Sequence, residues 1–94
     1  MTKAIEHRVA AGIVEDALAS VFDPAVVRGL REDSPLAAVG MTPADAVCIA
    51  DAVAAVAERA GLACHLDDAD FATARSVADL VSAVEAAARP EALR

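Results

Sequence analysis

The side chains of this 94-residue chain best suited to chemistry are His7, His65, Cys48, Cys64 and the cluster Asp67, Asp68 and Asp70. Nucleophilic catalysis needs a Ser, Cys or Thr beside a base that a third group orients. Only His7 and His65 offer an imidazole, and no glycine-bearing nucleophile turn precedes any serine. A zinc site needs His, Cys or carboxylates converging at a workable spacing. Cys48 and Cys64 do not form a closely spaced ligand pair, and a site built on them would require His7 to join. Cys64 and His65 are adjacent, so an extended backbone points them to opposite faces. The aspartate cluster lacks the run of oxygen ligands, the glycine turn and the terminal glutamate of a calcium loop. It suits the acid-rich first turn of a helix instead. Gly12, Gly29, Gly40 and Gly61 are too scattered for a phosphate-cradling loop. The residues therefore predict no catalytic centre and no metal; the chain is expected not to be an enzyme.

The elements that carry these residues are predicted to be helical. The chain is 57% hydrophobic but only 2% aromatic, so its apolar content is Ala, Val, Leu and Ile. Ala is the strongest helix former, and small side chains let helices approach closely. The formal charge of −7 argues against nucleic acid, where Lys and Arg on phosphates supply much of the affinity. It argues equally against an anionic membrane surface and favours attraction to basic protein surfaces. No apolar run approaches the roughly 20 residues of a membrane span. The amino terminus lacks the pattern of a signal peptide. A cytoplasmic protein with reduced thiols is expected. The length suits one domain, placed at residues 1–89, with 90–94 as a frayed tail.

Ile5, Val9, Ile13, Val14, Leu18 and Val21 recur at helical spacing and predict a first helix from Lys3 to Val21. The stretch Phe22 to Met41 reads as a long connection. Asp23-Pro24 is an N-cap followed by proline, which predicts a short turn ending before Gly29. Ser34-Pro35 repeats that signal and ends at Gly40, with Leu30, Leu36 and Val39 expected to anchor the loop to the core. A loop of about 20 residues is unusual in a compact domain unless pinned or functional.

Thr42 as N-cap, Pro43 in the first position and Asp45 in the third predict the start of a central helix, which runs to Ala60 before Gly61. At about 100° per residue, Ala46, Ile49, Ala50, Val53, Val56, Ala57 and Ala60 face the core. Ala44, Val47, Cys48, Asp51, Ala55 and Glu58 lie on the opposite face. Leu62, Cys64 and Leu66 alternate as a short extended segment with inward side chains. Asp67 caps a short helix over Asp68 to Ala74, held by Phe71. Ser76 caps a last helix, with Asp79 in its third position and Val77, Leu80, Val81 and Val84 as its stripe.

This order resembles an acyl or peptidyl carrier protein, the family that tethers intermediates through 4'-phosphopantetheine. The resemblance covers Asp33 to about Val84. Asp33-Ser34-Pro35-Leu36-Ala37-Ala38-Val39-Gly40 is similar to the loop leading into the family's central helix. Gly40 to Val47 lies where the family shows Gly-x-Asp-Ser-Leu-Asp-x-Val. Gly61-Leu62 resembles the glycine-apolar pair after that helix, and Ser76-Val77-Ala78-Asp79-Leu80 the Thr-Val-x-Asp-Leu start of the last. The first helix matches only in pattern. The implied fold is all-α: a four-helix carrier-like bundle of three longer helices and one short, with a long pinned loop between the first and second.

The attachment motif is where this chain departs from the family. The modified serine falls on Pro43, its preceding aspartate on Thr42 and its following leucine on Ala44. Proline has no hydroxyl to form the phosphodiester. Thr42 has one, but it stands one residue early and serves as the cap. No cofactor is therefore expected. The resemblance implies a non-carrying accessory domain in a polyketide, nonribosomal-peptide or related acyl pathway. Its partner would be the basic surface of a biosynthetic enzyme, docked on Val47, Cys48, Asp51, Ala55 and Glu58. One alternative is an active carrier bearing 4'-phosphopantetheine on Ser34, within Asp33-Ser34-Pro35-Leu36. Another is an unrelated helical interaction module.

Overall fold

The computed structural model describes residues 6–90. Its elements are α1 (His7–Val21), α2 (Pro24–Arg28), a 3-10 turn (Leu36–Val39), α3 (Pro43–Arg59), β1 (Leu62–Ala63), α4 (Asp68–Thr73), α5 (Val77–Ala87) and β2 (Arg89–Pro90). The protein is mostly helical. The turn after Asp23 is a helix in its own right, so among the described residues five α-helices form, three longer and two short.

α1 is the helix against which both α3 and α5 pack. Its inward face is Ala10, Ile13, Val14, Ala17 and Leu18. The expected stripe was correct for Ile13, Val14 and Leu18, while Val9 lies outside the core, 40% exposed. Ala10 and Ala17, both fully buried, occupy the seam instead. Small side chains there let the backbones approach, a preference that a count of large apolar residues overlooks. The Lys3 to Ile5 part of the expected helix lies outside the described residues.

From α3, Ile49, Val53, Val56 and Ala57 enter the core; from α5, Leu80, Val81 and Val84 do so. Burying Leu18, Ile49 or Leu80 contributes about 1.5–3 kcal/mol each. Ala60, expected on the inward face, is exposed because the helix ends at Arg59 and Ala60 leaves helical geometry. Gly61 then takes φ +79°, a left-handed conformation that costs glycine little.

The chain from Arg31 to Leu36 is held by the start of α5. The first N–H groups of a helix lack intrahelical partners. Here the loop supplies acceptors for two of them: Val77 N–H donates to the Ser34 carbonyl (3.1 Å) and Ala78 N–H to the Glu32 carbonyl (2.7 Å). In return, Leu36 N–H donates to the Arg75 carbonyl at 2.9 Å. The next donor, Asp79 N–H, is taken by the Ser76 hydroxyl at 3.3 Å. The anchors differ in part from expectation. Leu36 is buried and Leu30 packs on the core, but Val39 does neither. Gly40 ends the 3-10 turn at φ +69° and redirects the chain towards Thr42.

After α3, Leu62 and Ala63 pair antiparallel with Pro90 and Arg89. Residue 90 therefore belongs to the folded unit and not to a loose tail; residues 91–94 lie outside the described part. Of the expected inward trio, Cys64 is buried, and Leu62 and Leu66 are half-buried against the core. Among the described residues, no helix is long and apolar enough to cross a membrane.

Candidate functional site

The start of α3 is held by a reciprocal cap. Asp45 N–H donates to Thr42 Oγ1 at 3.2 Å, and Thr42 N–H donates to Asp45 Oδ2 at 3.0 Å. Pro43 follows in the first helical position, where a missing N–H costs nothing and the ring presets φ. Asp45 also stands at the positive end of the helix dipole. Thr42, Pro43 and Ala44 are all exposed. A cleft of about 500 Å³ opens beside them, lined by Met41, Pro43, Ala46 and Val47 on one side and by Phe71 and Ala72 of α4 on the other. The sequence located Phe71 as the anchor of a short helix; that it also walls a cleft beside Pro43 was not foreseen.

Along the outer face of α3, Val47, Cys48, Asp51, Ala55 and Glu58 are all exposed, Val47 to 58%. They form one strip running away from Thr42, with small apolar groups between the two acids. At its far end a cavity of about 310 Å³ is bordered by Ala55, Glu58, Leu62, Cys64 and His65.

The candidate nucleophiles and ligands do not converge. Cys48 is exposed and Cys64 buried, both as free thiols. Burial pushes the Cys64 thiol pKa up, and the negative charge of Asp70 adds to that rise. His7 lies with neither cysteine. Its Nε2 is 2.9 Å from Glu32 Oε1 and its Nδ1 is 3.3 Å from Glu85 Oε2. The hydrogen bond and charge of Glu32, followed by those of Glu85, raise its pKa above the ordinary histidine value. His65 is exposed where its neighbour Cys64 is buried. Among the described residues, no group of three or more His, Cys, Asp or Glu is placed to hold a metal.

The aspartate cluster caps α4: Asp70 N–H donates to Asp67 Oδ1 at 3.1 Å, and Asp67 N–H to Asp70 Oδ2 at 3.0 Å. Ser76 and Asp79 repeat the arrangement on α5. There Arg75 N–H donates to Asp79 Oδ2 at 2.8 Å, and this bond, helped by Ser76, holds the Asp79 carboxyl below the usual range.

Ser34 does not cap the turn that follows it. Its Oγ points back and accepts from Arg31 N–H at 2.8 Å, while Pro35 takes the cap position of the 3-10 turn without a side-chain bond. The reason is the pairing of Pro35 with Ser76, which draws this backbone onto α5 and away from a helix start. The half-buried Ser34 thus sits in a pinned loop, whereas Thr42 and Pro43 stand at the exposed head of a long helix. Comparison with protein-family models, curated proteins and solved structures gave no significant match.

Proposed function

We propose that this protein is a carrier-like accessory domain that bears no phosphopantetheine and acts by binding a partner protein. The observation that carries this reading is Pro43, exposed at the head of the central helix where the resembled carrier family places its modified serine. The neighbouring hydroxyl of Thr42 already accepts a backbone N–H. The domain belongs on this reading to a four-helix carrier-like class, with α2 as an added turn in the first loop. It works in the cytoplasm, within a polyketide, nonribosomal-peptide or related acyl pathway.

The partner is a basic surface of a biosynthetic enzyme. Asp51 and Glu58 supply charge complementarity, Ala55 lies between them, and exposed Val47 adds an apolar contact one turn before Asp51. The catalytic residues then belong to the partner, and this chain is not an enzyme.

Intact mass after incubation with coenzyme A and a broad-specificity phosphopantetheinyl transferase tests the reading. The mass is expected to stay unchanged. Gain of one phosphopantetheine, mapped to Ser34, would establish the active-carrier alternative. The position of Ser34 in a loop pinned to α5 favours the first reading over that one.

A further inference from the structure

We infer that His7, Glu32 and Glu85 form a proton-operated clasp joining α1 to the end of α5. Protonated His7 fastens both the Glu32 loop and the last turn of α5; its deprotonation frees Glu85 and keeps Glu32.

The two ring nitrogens face carboxylates from different elements. Nε2 lies 2.9 Å from Glu32 Oε1, and Nδ1 lies 3.3 Å from Glu85 Oε2. An ionised carboxylate only accepts hydrogen bonds, so both contacts are attractive only when both ring nitrogens carry hydrogen. Imidazolium meets that condition. The neutral ring has one N–H, and its other nitrogen would turn a lone pair towards a carboxylate. One contact must therefore break on deprotonation, and the longer one, to Glu85, is the one lost. The His7 side chain is 54% exposed, so solvent can exchange its proton without unfolding the chain.

The placement of the charges points the same way. His7 opens α1, whose first turn holds no acid, and a cation there opposes the helix dipole. Its charge is thus stabilised by the two distant carboxylates and not by its own helix. Glu85 stands in the last turn of α5, the negative end, where no basic residue accompanies it. Arg89, just beyond, gives its guanidinium to the Ala86 and Ala88 carbonyls. Glu6 and Arg8 flank His7 in the chain, and Arg31 and Asp33 flank Glu32. Among the described residues, no arginine lies within 4.0 Å of either glutamate, and their ion pairs are those with His7. Freed from the imidazolium, Glu85 leaves an uncompensated charge on the turn that Ala88 N–H closes onto the Val84 carbonyl at 2.8 Å. That turn then loosens. The Glu32 end stays fastened, its carbonyl accepting Ala78 N–H at 2.7 Å.

The test is an NMR titration of the isotope-labelled full chain from about pH 5.5 to about pH 9, a range that spans the ordinary histidine value. Above the His7 midpoint, ring nitrogen shifts should place the remaining hydrogen on Nε2. The Glu85 and Ala88 amide shifts should follow that midpoint, and the Ala78 amide should not. Ala88 exchange, corrected for its intrinsic pH dependence, should rise about two- to fivefold, the size of a helix-end charge effect. Glu85→Gln and His7→Gln should each abolish that rise, and Glu32→Gln should lower the His7 midpoint more than Glu85→Gln does. A hydrogen left on Nδ1, Ala88 exchange that ignores the His7 titration, or the same rise in His7→Gln would overturn the proposal.

Discussion

Thr42 and Asp45 exchange hydrogen bonds across the first turn of α3, each side chain accepting the other's backbone N–H, at 3.2 and 3.0 Å. The pair both starts the central helix and commits the hydroxyl nearest to Pro43 as an acceptor. Removing it should therefore destabilise the fold without changing the chemistry available. Thr42→Ala is expected to cost about 1 kcal/mol, the usual effect of losing a cap, and Thr42→Ser to cost far less. Urea denaturation of the two variants checks this. Equal stability of Thr42→Ala and the parent would remove the cap from the account.

A second expectation concerns pH. His7 joins α1 to the pinned loop through Glu32 and to α5 through Glu85. Its folded-state pKa is raised, so folding favours its protonated form. The stabilisation is fully present below about 6.5, the unfolded histidine value, and fades as pH rises through the raised folded value. His7→Gln should therefore lower stability on the acid side of neutrality and converge with the parent in mild base. Denaturation curves across that window measure the difference; a gap that grows with pH would contradict the assignment.

The two thiols should react at very different rates. Cys48 is exposed on α3, whereas Cys64 is buried and its burial disfavours the thiolate. One equivalent of a thiol-specific reagent should label Cys48 in the native protein, and Cys64 should follow only on unfolding. Native labelling of Cys64 at a comparable rate would show that the segment after β1 opens readily.

Helix starts were legible because capping is local. Thr42, Asp67 and Ser76 take the expected cap positions, with Asp45 and Asp79 three residues on as expected, and Asp70 adds a reciprocal bond to Asp67 that was not among the expectations. Gly61 was legible for the same reason. What escaped depends on partners distant in the chain. Nothing near His7 announces Glu32 or Glu85, and nothing near Ser34 announces that its carbonyl serves Val77. The local Ser34-Pro35 signal therefore suggested a cap that the pairing with α5 overrides. Val9 and Ala10 show the same limit for packing: periodicity alone could not tell that the α1 seam prefers the smaller side chain. The cleft beside Pro43 joins residues from α3 and α4, so it exists only after folding.

The outer face of α3 can be tested apart from the fold. Asp51 and Glu58 are exposed and far from any buried charge, so Asp51→Lys and Glu58→Lys should change stability by less than about 0.5 kcal/mol each. A partner recovered by co-purification should bind the double variant more weakly, mainly through a slower and less salt-sensitive association. Unchanged affinity would remove this face from the interface.

The most direct measurement compares the parent with a chain carrying Thr42→Asp, Pro43→Ser and Ala44→Leu, which restores the attachment motif at the same exposed helix start. Aspartate also caps helices well, so α3 should persist. After incubation with coenzyme A and a phosphopantetheinyl transferase, the restored chain should gain one phosphopantetheine on the new serine, and the parent should gain none. Modification of the parent would contradict the absence of a prosthetic arm, and failure of the folded, restored chain to be modified would contradict the carrier-like framework.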